Sequence, residues 1–415
     1  MGGSSLAPEL FARTFADAGG MRLTVLDSTD PAAVLARTGV LDPARTLHVV
    51  ATKSGGTVET ASLMRYTYDR ALEVLGADGA RRRFVVITDP GSALADAATV
   101  LGLRATLLND PHIGGRFSAL SYFGLAPAAL VGVDLDRLGA SAQAMARACA
   151  SDVPAAENPA AVIGAVMAEL SAAGRDKLTL VVSPSLPGLA DWIEQLVAES
   201  TGKDGRGIVP VAGERLGTPG DYGADRLFVH VRLTGDPARG DRAGSDEPAG
   251  SRGRTADTDE AGGGDDGDLD DRLAALVAAG HPAIVVRMAD RYDLGGHLLL
   301  WELATAIAGH RLGIQPFDQP NVEAAKVRAR ETVAAYRATG TLPAPEPSLV
   351  ADGIAAYCDG DGSDEWVQIP PGIHPVSTVG DSRASSLAAG ASPSHRITTA
   401  SHILAMFLEG ATPGP

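Results

Sequence analysis

The amino-acid sequence predicts an α/β protein built from two doubly wound parallel sheets, with helices on both faces. Three observations carry that reading. Short β-branched runs alternate with Ala/Leu-rich helical stretches, the pattern of parallel sheets joined by helical crossovers. The alternation occurs twice, in a chain of 415 residues, long enough for two or three domains. A polar, Gly-containing loop follows one of the apolar runs, where ligands of such sheets bind.

In chain order, the first strands are expected at Arg22–Leu26, Leu47–Ala51, Phe84–Thr88 and Ala105–Leu108, and a second set at Leu178–Ser183, Leu227–Arg232 and Ala283–Met288. Ala119–Val131, between the sets, and Leu189–Ser200, within the second, read as helices. These elements give a first domain over 1–150 and a second over 151–335, followed by an unassigned extension over 336–415. Within the second domain, residues 235–271 hold twelve acidic and four basic residues, a net charge of −8, with Leu269 the single large apolar side chain. Such a segment cannot offset its ordering entropy by burial and is expected to be a disordered insertion.

Composition narrows the function. A net charge of −16 argues against nucleic acid or an anionic membrane as partner. Cys149 and Cys358 show neither metal spacing nor a disulfide framework, which suits a reducing cytoplasm. No run approaches the length of a membrane span.

The most informative segment is Ala51-Thr52-Lys53-Ser54-Gly55-Gly56-Thr57. Hydroxyls, glycines and a helix start at Thr57 make a cradle for a phosphate dianion. Lys53 precedes the glycines instead of following them, so this is not a nucleotide P-loop. Further on, Arg116 follows Gly114-Gly115, which let backbone approach a ligand, and its guanidinium suits delocalised negative charge. In Leu189–Ser200, Leu189, Trp192, Ile193, Leu196 and Val197 form an inward stripe. Gln195 and Glu199 lie four apart at its margin, while Glu194 faces outward. A carboxylate at a core margin before a Gly-rich turn can be partly desolvated, as a catalytic base requires.

Five segments, in order, resemble the glucose-6-phosphate isomerase family of sugar isomerase (SIS) domain proteins: Gly2-Gly3-Ser4-Ser5-Leu6, the Thr52–Thr57 loop, Gly114-Gly115-Arg116-Phe117-Ser118, Glu199-Ser200-Thr201-Gly202-Lys203-Asp204-Gly205, and Pro316-Phe317-Asp318-Gln319-Pro320-Asn321-Val322-Glu323. The likeness covers about residues 1–335 and is greatest to the isomerase part of the branch fused to transaldolase in some bacteria. It implies interconversion of glucose 6-phosphate and fructose 6-phosphate through a cis-enediol, with no metal or other cofactor. By the same resemblance Glu199 is the base, Arg116 holds the enediolate, and Lys326 opens the ring. Gly3, Ser4, Thr52, Lys53, Ser54 and Thr57 hold the phosphate, and Gln195 and Gln319 contact substrate. The implied partners are a hexose 6-phosphate, a second copy of the chain in a homodimer, and a transaldolase, fused or separate.

The chain departs from the family in two ways. A strand normally feeds the Gly-Ser loop that here opens the sequence, so upstream residues are expected to be missing. The stretch Arg215–Tyr222 lacks the family's ring-opening histidine. His297 is expected to be a partly buried or capping residue, and His112 is a weak substitute. Two other readings stay open: a non-catalytic sugar-phosphate-binding SIS protein, for which Glu199 has no use, and an isomerase that also accepts mannose 6-phosphate.

Overall fold

The computed structural model describes residues 3–234, 266–318, 320–342, 349–351 and 354–356. The chain divides into two units, Met1–Ala324 and Ala325–Pro415. In the first, the chain enters helix α1 (Gly3–Thr14) at once. Leu10, Phe11 and then Phe15 are fully buried on one side of that helix and its exit. Each such side chain contributes roughly 1.5–3 kcal/mol relative to exposure.

Residues 21–30, including the expected strand Arg22–Leu26, form no strand. The chain there is pinned to the end of a later helix by Gly20 N–H to Val131 O and Met21 N–H to Leu130 O, at 3.0 and 2.7 Å. β-branched residues alone do not make a strand where no sheet edge is offered for pairing. Asp30 then caps α2 (Pro31–Gly39) through the Ala33 N–H at 2.8 Å, with proline at the first helical position.

The first sheet alternates β1 (His48–Ala51), α3 (Val58–Arg81), β2 (Phe84–Thr88), α4 (Ala93–Leu101) and β3 (Ala105–Leu108). Its order is β1-β2-β3, all parallel, with His48 opposite Phe84 and Val85 opposite Ala105. Three helices lead out of it: α5 (Tyr122–Val131), α6 (Leu135–Ala148) and α7 (Pro159–Ala172). α5 starts three residues later than the sequence suggests because Ser121 caps it.

The second sheet uses β4 (Lys177–Val182), followed by α8 (Leu189–Thr201), then β5 (Val209–Val211), β6 (Arg226–Leu233), α9 (Asp266–Ala278), β7 (Ala283–Met288) and α10 (Leu294–Leu312). Its order is β5-β4-β6-β7, again all parallel. β4 and β6 bury long runs on both faces, as central parallel strands do. The disordered insertion expected over 235–271 does not extend through 266–271. Residues 235–265 lie outside the described residues, but 266–271 begin α9, because Leu269, Leu273 and Leu276 lie at helical spacing and pack on Val181, Leu216 and Phe228. The main core gathers α1, α5, α7, α8 and α10 around β4 and β6.

The helix α11 (Pro320–Thr339) runs from the first unit into the second. The second unit also holds an antiparallel pair, β8 (Leu349–Ala351) and β9 (Ile354–Ala356). Among the described residues no helix is long and apolar enough to cross a membrane.

Candidate active site

The polar loop leaves the carboxyl end of β1. Thr52 N–H extends the ladder to Ile87 O at 3.1 Å, and its hydroxyl lies 3.4 Å from that of Thr57. Gly55 has φ +67°, and a Cβ there would meet Leu94 N at 2.7 Å. Only glycine suits that position. The Ser54 hydroxyl accepts the Gly56 N–H at 3.3 Å. Thr57 precedes α3 without capping it through its side chain. The N-terminus of α3, which runs to a kink at Gly76 (φ 65°, ψ 176°), thus presents its positive dipole end to a loop of hydroxyls.

The ammonium of Lys53 is committed to the protein. It lies 2.7 Å from Asp89 Oδ2 and donates to Pro111 O at 2.5 Å. The lysine therefore ties the polar loop to the end of β2 and to the segment that leads to Arg116.

Arg116 sits in a 3₁₀ turn (Gly115–Phe117) after β3 and is 3% exposed. Its Nε donates to the Ser200 hydroxyl at 2.7 Å. Nη2 donates to Pro316 O at 2.5 Å and to Asp318 O at 3.0 Å. Nη1 lies 3.6 Å from Glu199 Oε2. Burial lowers the guanidinium pKa, and the nearby carboxylates of Glu199 and Asp318 work against that shift. A buried guanidinium with three fixed acceptors cannot rotate, so the edge that faces Glu199 is preset.

Glu199 comes from the last turn of α8, with a side chain 40% exposed. Gln195, one turn earlier, donates to Glu199 Oε1 at 2.8 Å. One carboxylate oxygen is thereby oriented by an amide and the other faces a cation. Glu194 does not face outward as its spacing suggests: it is half-buried, accepts the Ala212 N–H, and has its pKa raised by burial and by Asp191.

The structure thus brings Arg116, Gln195 and Glu199 together, and groups Thr52, Lys53, Ser54 and Thr57 in one loop. Gln319 lies outside the described residues, as do the side chains of Ser4 and Lys326 and the surroundings of Gly3, although the backbones of these three are helical. His297 is buried at 3%, with its pKa lowered to about 4 mainly by desolvation. It is a packing residue of α10. His112 is exposed.

Sequence reasoning missed Ser200 and Lys203. Ser200 was detectable, because it continues the inward stripe Leu189, Ile193, Leu196 and is fully buried. A buried hydroxyl needs a partner.

Two parallel sheets, an anion-ready strand-to-helix loop and a carboxylate facing a fixed guanidinium define a phosphosugar isomerase of the SIS fold. Residues 1–211 match the family model described as Phosphoglucose isomerase. The chain belongs to the phosphoglucose isomerase family. It is 34% identical over 358 residues to a glucose-6-phosphate isomerase of Rubrobacter xylanophilus, covering 79% of each chain. It is 33% identical over 293 residues to one from Parabacteroides distasonis, covering 66% of this chain and 63% of that relative. Among solved structures, a hypothetical protein from Thermus thermophilus superposes with a TM-score of 0.68 at 28% identity, over 80% of this chain and 82% of that one. A glucose-6-phosphate isomerase from Chlamydia trachomatis shares the fold, with a TM-score of 0.59 at 19% identity, over 81% of this chain and 69% of that one.

Proposed function

We infer that this chain is an aldose–ketose isomerase that interconverts glucose 6-phosphate and fructose 6-phosphate by proton transfer through a cis-enediol. The observation that carries the reading is the Glu199 carboxylate set 3.6 Å from Nη1 of an Arg116 guanidinium whose Nε and Nη2 are already bound. In the proposed reaction Glu199 takes the proton from C2 of the open-chain aldose and returns it to C1. The negative charge that develops on the sugar oxygens meets the preset edge of Arg116, where a fixed cation costs no reorganisation. Gln195 keeps the carboxylate in register.

The phosphate is assigned to the hydroxyls of Thr52, Ser54 and Thr57 and to the open N–H groups at the start of α3. Lys53 adds positive charge and braces the loop through Asp89. The motif resemblance further assigns Gly3 and Ser4 to the phosphate, Gln319 to substrate contact and Lys326 to ring opening. A homodimer and a transaldolase partner are further parts of this reading, supported by the resemblance of the motifs.

The test is a coupled assay of the full chain with fructose 6-phosphate. Conversion to glucose 6-phosphate is expected, and Glu199→Gln should lower kcat about 1,000-fold or more while sugar-phosphate binding persists. An active Glu199→Gln variant would remove that side chain from the mechanism. Binding without any turnover by the unaltered chain would favour the non-catalytic SIS reading.

A further inference from the structure

The turn after α8 aims two cations at the loop that precedes α11. Asp204 takes φ 54° there, the one non-glycine residue with positive φ among the described residues, and Gly205 follows at φ 69°. Left-handed backbone at a non-glycine residue persists only where the surroundings enforce it. The turn closes on itself through Lys203 N–H to Arg206 O at 3.1 Å and Arg206 N–H to Lys203 O at 2.9 Å. From it, Arg206 Nη1 donates to Leu312 O at 2.8 Å, at the end of α10. Lys203 Nζ donates to Gln315 O at 2.5 Å, to Asp318 O at 2.8 Å and to Asp318 Oδ1 at 2.6 Å.

All three ammonium donors of Lys203 are therefore spent on residues 315–318, and its side chain is 9% exposed. That short loop also supplies Pro316 O and Asp318 O to Arg116 Nη2. The carbonyl of Asp318 is thus shared by both cations. Little else orders the loop: of residues 315–318 only Pro316 is buried, and Phe317, 59% exposed, makes a tilted ring contact with Phe117 at 5.0 Å.

We propose that Lys203 is a positioning residue for the isomerisation, holding the 315–318 carbonyls as the surface that fixes Arg116 against Glu199. It acts through Arg116 and not on the sugar, and the inference rests on the enediolate role assigned to Arg116 above. Without the ammonium, the loop carbonyls turn to water, Nη2 loses its acceptors, and the guanidinium edge facing Glu199 is no longer preset. The expected loss is in stabilisation of the developing anion, with ground-state binding of the phosphorylated sugar spared.

The experiment compares the full chain with Lys203→Met, Lys203→Arg and Asp318→Ala. It uses steady-state turnover of fructose 6-phosphate and calorimetric titration with two probes. One probe is a five-carbon hydroxamate with a terminal phosphate, whose planar anion mimics the enediolate. The other is hexitol 6-phosphate, which carries the phosphate and no such anion. Lys203→Met should lower kcat about 10- to 100-fold with KM nearly unchanged, and weaken the hydroxamate by a similar factor. Hexitol 6-phosphate affinity should hold, and Lys203→Arg should recover most of the loss. Asp318→Ala, which keeps the carbonyls, should show a smaller loss of the same kind. A folded Lys203→Met chain with unaltered kcat and hydroxamate affinity would overturn the proposal, as would equal weakening of both probes. If Lys203→Met fails to fold, unaltered hydroxamate affinity in Asp318→Ala overturns it instead. A chain that binds both probes but never turns over fructose 6-phosphate defeats the proposed function, while the two affinities still decide the role of Lys203.

Discussion

Ser200 shows that the Arg116–Glu199 pair is held in place by a side chain outside it. Its hydroxyl accepts Arg116 Nε at 2.7 Å from a fully buried position. Ser200→Ala leaves that N–H buried without a partner, at a cost of about 1.5–3 kcal/mol for a bond to a charged group. We expect a drop in Tm together with roughly a tenfold fall in kcat, read by thermal unfolding and steady-state kinetics. An unchanged kcat beside a lowered Tm would make Ser200 a packing residue only. At this scale helix periodicity places Gln195 and Glu199 together and paired glycines mark Arg116, while the roles proposed for all three come from the family resemblance. The sequence is silent on Lys203, whose acceptors lie 112 and 115 residues away. No local pattern encodes a contact of that separation.

Among the elements, the strand-to-helix loop between β1 and α3 depends on one glycine. Gly55→Ala places a side chain at φ +67° and drives its Cβ to within 2.7 Å of Leu94 N. The strain and the displaced backbone should cost about 1–3 kcal/mol of stability. KM for fructose 6-phosphate should rise about tenfold, equivalent to 1.4 kcal/mol of binding, with kcat less affected. Urea unfolding and steady-state kinetics check both parts. Strands were legible where an apolar, β-branched run pairs within a parallel sheet, even where, as in Ala105–Leu108, no position is fully buried. Phe84–Thr88, Ala105–Leu108 and Ala283–Met288 are strands as the apolar runs indicate. β5 escaped notice because Val209-Pro210-Val211 is only three residues long and contains a proline. Arg22–Leu26 failed for the opposite reason: its propensity is high, but no neighbouring strand completes it. Glu199 stands at the end of a helix, as the apolar stripe over Leu189–Ser200 and the Gly-rich turn after it indicate.

For the molecule as a whole, α10 sets an uncommon pH dependence of stability. The buried His297 ring refuses a proton until about pH 4, while an unfolded histidine accepts one near pH 6.5. Stability from this group is intact above pH 6.5 and falls by about 1.4 kcal/mol per pH unit as pH drops through that window. Glu302, on the same helix, has Oε1 enclosed with no hydrogen-bond partner among the described residues, and burial raises its pKa well above 4.5. Its contribution is complete below the ordinary carboxylate range and declines as pH rises. The two slopes oppose each other as pH rises from the ordinary carboxylate range towards 6.5. Glu302→Gln removes one of them, so the urea midpoint of that variant should climb more steeply with pH over this window than that of the unaltered chain, and His297→Gln should flatten the acid side; a Glu302→Gln profile parallel to the unaltered one would contradict this account.

The central claim is that the Glu199 carboxylate carries a proton between adjacent sugar carbons, and isotope exchange tests it most directly. With fructose 6-phosphate in deuterium oxide, NMR should show deuterium entering C2 of the glucose 6-phosphate formed by the unaltered chain. In Glu199→Gln, which still binds the sugar phosphate, exchange should be at least about 1,000-fold slower. Exchange at an undiminished rate in that variant would contradict the account.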